Sequence, residues 1–145
     1  MARCNVEARL MSVEAMTLGL EYRMGHTDCA SLTRLGLKSI LGRDPWRDHV
    51  PAWNNTTSAL KVARSVGGAV SVLTNSGASE VDRAIAGPGD VAVGPETGTD
   101  ALPQMSMLLP GGRVLASQPC TGVVTVRTDD LTDGTRFFRY EEVAR

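Results

Sequence analysis

The residues best able to do chemistry sit in one short stretch, Met24-Gly25-His26-Thr27-Asp28-Cys29-Ala30-Ser31-Leu32. A glycine turn leads into Thr27 and Asp28, and either residue suits a helix N-cap, which puts Cys29 in the first helical turn. A thiol there feels the positive end of the helix dipole, which favours the thiolate, the form that attacks a carbonyl carbon. His26, three residues earlier, is a candidate base for that thiol; it also reads as a solvated turn histidine. Asp28 is a candidate polar partner of the thiol, or only the cap. Cys29 itself also fits as a small apolar residue at a helix–core contact, since free cysteine is often buried. Cys4, His26 and Cys29 have irregular spacing and no carboxylate cluster beside them, so no metal site is expected, and no cofactor is called for.

These residues need a frame. The apolar series Leu32, Leu35, Gly36 and Ile40 predicts that the cysteine helix runs from about Asp28 to Leu41 and stops at Gly42, with Pro45 just beyond. An earlier helix is expected from Val6 to about Tyr22, with Leu10, Val13, Leu20, Met11, Met16 and Leu18 as its apolar residues. Gly42 to Trp53 reads as a loop bracketed by Pro45 and Pro51 and carrying both tryptophans, Trp46 and Trp53. Such a loop suits contact with a partner, or a lid over the protein's own core. His49, inside it, is expected to pack or hydrogen-bond beside Trp46 or Trp53. A third helix is expected from Asn55 to Val66, a helical turn at Ala69 to Thr74, and a further short helix opened by a capping box at Ser79-Glu80-Val81-Asp82 and closed at Gly87-Pro88.

The second half reads as strands. Asp90 to Val93 follows a Pro-Gly turn, Gly94 to Pro103 is a polar loop, and Gln104 to Leu109 and Arg113 to Ser117 flank the hairpin signal Pro110-Gly111-Gly112. Gly122 to Thr128 and Thr135 to Tyr140 complete the set, followed by a short tail from Glu141 to Arg145. Helices first and an antiparallel sheet second is the order of an α+β fold, here N-terminal helices packed on a small antiparallel sheet. The 145 residues fit one domain, 1–145, without repeats or a dividing linker.

Composition excludes several functions. The net charge is −1 and the basic residues do not cluster, so neither nucleic acid nor a membrane surface is expected as a partner. There is no apolar run of about 18 residues, so no transmembrane helix is expected. The opening Met1-Ala2-Arg3-Cys4-Asn5-Val6-Glu7 has no apolar core, so no secretory leader is expected there. Three scattered cysteines, Cys4, Cys29 and Cys120, form no disulfide framework and suit reducing cytoplasm or a particle assembled in it.

A cysteine helix followed by an antiparallel sheet resembles the papain-like cysteine hydrolases. More narrowly, the chain resembles the NlpC/P60 group of cell-wall amidases and peptidases, in particular a small phage-borne branch. The matching pieces are Met24-Gly25-His26-Thr27-Asp28-Cys29, Gly42-Arg43-Asp44-Pro45, Gly89-Asp90-Val91, Gln104-Met105-Ser106-Met107-Leu108-Leu109 and Gly112-Arg113-Val114-Leu115. The resemblance implies a papain-like NlpC/P60-type fold and an amidase site in which a cysteine thiolate attacks an amide and a histidine on the facing strand moves the proton. That histidine would head the strand that here begins at Gln104. Glutamine is no base at neutral pH, and the chain has no histidine after His49. The expectation is therefore a degenerate site, marked by Gln104 and Asp28, in a structural component of a phage virion (head surface, neck or tail) assembled in the host cytoplasm with other virion proteins as partners. Trp46 and Trp53 are the expected contact residues. Two alternatives stand beside it: an active peptidoglycan amidase with Cys29 as nucleophile and His26 as base, and an assembly factor absent from the mature particle.

Overall fold

In the computed structural model, which describes residues 3–95 and 104–144, the chain folds into four helices followed by a six-stranded antiparallel sheet. The helices are α1 (Arg3–Thr17), α2 (Cys29–Leu41), α3 (Thr56–Val66) and α4 (Ala69–Asn75). The strands are β1 (Ala78–Val81), β2 (Val91–Val93), β3 (Met105–Leu109), β4 (Arg113–Gln118), β5 (Gly122–Arg127) and β6 (Arg136–Tyr140), in the order β1-β6-β2-β3-β4-β5. This is the α+β arrangement expected. The reading of Gly94 to Pro103 as a loop falls, beyond residue 95, outside the described residues.

Local chemistry sets most helix ends. Asp28 caps α2, accepting a hydrogen bond from the Ser31 N–H, and Gly42 closes it in the left-handed region, with φ 71°. Asn55 and Ser58 form a reciprocal capping box on α3, and Gly67 closes it the same way. α1 stops at Thr17, five residues short of the expected Tyr22. Thr17 donates its hydroxyl to the Val13 carbonyl, Gly19 turns at φ 86°, and the chain then pairs with β5: the Gly19 N–H bonds the Val123 carbonyl and the Val123 N–H bonds the Leu20 carbonyl. Val6, Leu10 and Val13 face the core, whereas Met11, Met16, Leu18 and Leu20 are exposed.

Ser79 to Asp82 does not open a helix. Ala78–Val81 is the edge strand β1, whose register runs from Ala78 opposite Tyr140 to Val81 opposite Phe137. Glu80 holds the Arg136 guanidinium bidentately across that pair, at 3.0 and 2.6 Å. Sheet pairing outweighs the weak helix-start signal, and what remains of it is a single 3-10 turn at Arg83–Ile85.

The sheet has two faces. Met105, Met107 and Leu109 of β3 point to the helices and join Leu10, Leu32, Leu37, Ile40 and Leu73 in the main core. Leu108, Ala92, Val114 and Phe137 form a smaller cluster on the other face. α2 lies directly over β3, and Gly36 makes that contact close. Asp90 is wholly buried and held by Arg139 at 2.9 and 2.8 Å, with the Gly87 N–H as a further donor, so it locks the turn before β2.

Candidate functional site

The site grows out of the α2–β3 contact. Cys29 is the first residue of α2 and Gly36 lies two turns along the same stripe, about 10 Å further down the axis. Gly36 packs on Met107, so Cys29 is carried to the other end of the strand, where its thiol meets the Met105 N–H. The main-chain N–H groups of Cys29 and Ala30 also face the sulfur. Burial nevertheless pushes the thiol above its ordinary pKa: loss of water outweighs the three donors, and the Asp28 carboxylate adds to the rise.

Asp28 is part of the frame. It is buried, and its carboxylate accepts from the Ser31 N–H at 2.9 Å, the Ser31 hydroxyl at 2.8 Å, the Gly25 N–H at 2.5 Å and the Trp53 indole N–H at 3.1 Å. Four donors leave it little capacity for anything else. Gly25 is essential to this knot: at φ 86° a Cβ there would lie 2.1 Å from the Trp53 carbonyl oxygen. From the other side, the Ser117 hydroxyl at the end of β4 donates to the Thr27 carbonyl.

A cavity of about 710 Å³ opens beside Cys29 and continues round the end of the sheet to its other face, where Ala92, Val126 and Leu131 line it. Gln104, exposed at the head of β3, lines it together with Cys29, Tyr22, Met24 and Trp53. α3 supplies one wall through Ala59, Val62, Ala63 and Val66, the i, i+3, i+4, i+7 face of that helix.

Cys29, Asp28 and Gln104, expected at the site, thus line one cavity, and Trp53, expected as a partner contact, lines it with them. His26 is exposed and does not line the cleft, and His49, expected to pack or hydrogen-bond beside Trp46 or Trp53, is also exposed. Only its backbone N–H bonds, to the Trp46 carbonyl. Trp46 is not available as a partner contact: it is buried, and its indole N–H donates to the Tyr140 hydroxyl at 2.9 Å. Tyr140 in turn meets the Ser76 hydroxyl at 2.7 Å, and Ser76 donates to the Val72 carbonyl. This chain ties the tryptophan loop onto β6 and the end of α4, so the loop is a lid on the protein's own core. Half-buried Trp53 belongs to the cleft.

Sequence reasoning missed Tyr22. It lines the cavity with Cys29, and burial, with the Asp28 and Cys29 charges adding to it, pushes its hydroxyl above the ordinary pKa. No local pattern marks it; it arrives because residues 19 and 20 pair with β5. Gln118 and Ser117, at the end of β4, were missed for the same kind of reason. Among the described residues there is no group of three or more metal-ligating side chains.

A family model described as "Domain of unknown function (DUF6950)" matches residues 2–139. No curated protein matches the sequence. Among solved structures, the chain is similar to the NlpC/p60 domain of the peptidoglycan hydrolase SagA, with a TM-score of 0.54 and 17% identity over 95% of this chain and 97% of the other. The likeness is one of fold.

Proposed function

Since this chain belongs to the DUF6950 family and shares its fold with an NlpC/p60 domain, we propose that it is a non-catalytic descendant of that fold, which binds rather than cuts. The observation that carries the reading is Gln104 at the head of β3, beside Cys29, where the resemblance puts a catalytic histidine. An amide nitrogen cannot accept the thiol proton, and without a cationic neighbour the upward pull of burial on the thiol outweighs the three main-chain donors. Both histidines are exposed and neither lines the cleft. Within this reading the protein is a structural component of a phage virion, at the head surface, neck or tail, assembled in the host cytoplasm among other virion proteins. The support for that placement is the sequence likeness to the phage-borne branch. A mass-spectrometric inventory of purified particles tests it: presence at stoichiometric level is expected, and absence would favour an assembly factor.

A specific observation favours a second reading, the active peptidoglycan amidase. Cys29 has three main-chain N–H groups around its sulfur, the kind of setting that stabilises a thiolate, and His26 is three residues away. The pH dependence of Cys29 alkylation, in a protein with Cys4 and Cys120 replaced by serine, separates the two. The non-catalytic reading expects a midpoint above the usual thiol value of about 8.5. A midpoint below about 6 that is lost in His26→Ala would establish the amidase.

A further inference from the structure

The cleft beside Cys29 has an electrostatic character as definite as its shape. α3 turns Val62 and Val66 inward and keeps Lys61 and Arg64 on its solvent side. Facing it stand Trp53, Val72 and Met105. Apart from Asp28, beside Cys29, polar lining side chains such as Tyr22, Gln104, Ser117 and Gln118 are uncharged. Among the described lining residues there is no lysine, arginine or histidine. The two acidic ones are Asp28, whose carboxylate is already filled by four donors, and Asp130, which is exposed.

A carboxylate or phosphate drawn into such a cleft would lose water and find no cation in exchange, a heavy penalty in a low-dielectric site. Apolar surface entering it would gain, because Trp53 and the inner face of α3 present apolar side chains to it. The whole cavity, both faces of the sheet included, has about 710 Å³, so the side at Cys29 takes only part of it and suits a correspondingly small molecule. We propose that the cleft binds an uncharged, mainly apolar small molecule, with its carbonyl or hydroxyl end at Gln104 and Cys29 and its hydrocarbon part against Trp53 and the inner face of α3. The inference rests on the reading of this site as one that binds without cutting, and it adds the chemical class of what is bound.

Two dyes that differ in one charged group test it: uncharged N-phenyl-1-naphthylamine and its sulfonated relative 1-anilinonaphthalene-8-sulfonate. The neutral dye is expected to bind one per chain, to accept energy from tryptophan, and to slow alkylation of Cys29 by N-ethylmaleimide when Cys4 and Cys120 are serine. The sulfonate is expected to bind at least about tenfold more weakly, as befits an unpaired buried charge. Val62→Asp removes neutral-dye binding, while Lys61→Asp, on the outer face of the same helix, leaves it unchanged. Ala63→Met, which fills the cleft without adding charge, also removes it and guards against a Val62→Asp protein that does not fold. Equal or tighter binding of the sulfonate overturns the proposal, as does neutral-dye binding that neither protects Cys29 nor responds to Ala63→Met. If neither dye binds, the ligand class falls and the non-catalytic reading stands. Turnover of an apolar amide would reverse that outcome, leaving the ligand class and removing the non-catalytic reading.

Discussion

Gly36 and Met107 meet where α2 crosses β3, so closely that a Cβ on the glycine would lie 3.0 Å from the methionine Cε. A mid-helix glycine costs roughly 0.8–1.0 kcal/mol of helix propensity relative to alanine. Here that cost is offset by the close approach of helix to strand, which sets the Cys29 thiol against Met105.

Gly36→Ala is therefore expected to leave stability within about 1 kcal/mol of the parent, since the propensity gained is set against a few tenths of an ångström of displacement at a flexible methionine tip. Gly36→Val should lose about 1–3 kcal/mol by overpacking and should also speed Cys29 alkylation as α2 lifts from the sheet. Urea unfolding and thiol labelling measure both. A Gly36→Val protein as stable as the parent would mean that the helix does not rest on β3 as described.

Gln104→His places an imidazole at the head of β3, within the cleft that holds Cys29. A cationic neighbour favours the thiolate, so the alkylation midpoint should fall by about one pH unit or more. An unchanged midpoint would show that residue 104 does not face the thiol.

Arg34 grips Asp44 through three contacts at 2.7 to 3.1 Å, and Asp44 also accepts the Trp46 N–H at 3.0 Å. Burial alone would raise the Asp44 carboxyl, but these bonds outweigh it and hold the group below its ordinary value. A folded pKa below the unfolded one means stability that is present at neutral pH and is lost as pH falls through the folded value. Asp44→Asn should lose about 1.5–3 kcal/mol at pH 7, and the gap between variant and parent should close as the pH drops below about 4. Unfolding midpoints followed from pH 7 to 2 check this; a gap that persists at pH 2 would count against the ion pair as its source.

Tyr140→Phe strips the acceptor from the Trp46 indole N–H and a partner from Ser76. Leaving a buried donor unpaired costs about 1–3 kcal/mol, and the loss should be matched by a change in Trp46 emission. Trp53→Phe in the same background isolates the Trp46 signal. Stability within about 0.5 kcal/mol of the parent would mean that the lid is held by packing alone.

What was legible in the sequence was what is decided nearby. Asp28, Gly42, Asn55 and Gly67 cap helices through bonds a few residues long, and the expected ends of α2 and α3 match the observed ones. Pro110-Gly111-Gly112 announced the β3–β4 hairpin for the same reason. β1 was misread because its evidence lies on β6, at the far end of the chain. Trp46 could not be told from Trp53 because its partner Tyr140 is 94 residues away. The premature end of α1 and the placement of Tyr22 both follow from a backbone pairing with Val123 that no local pattern encodes. Within the site, Cys29 and Gln104 were readable as types; that Asp28 is consumed by four donors became visible only with Gly25, Ser31 and Trp53 in position.

The same pairing at Val123 has a consequence for how copies of this chain behave when crowded. An antiparallel sheet has two outer strands, and an unprotected one is a template on which a neighbour can polymerise. On the β5 side, residues 19 and 20 already occupy the backbone groups of Val123, and the missing side chain of Gly122, whose Cβ would sit 2.3 Å from the Leu20 carbonyl oxygen, admits them. On the other side β1 is only four residues long and carries Glu80 locked to Arg136. One border is covered at Val123, near its start, and the other is brief and charged, so each edge of the sheet carries a feature that hinders fibrous growth.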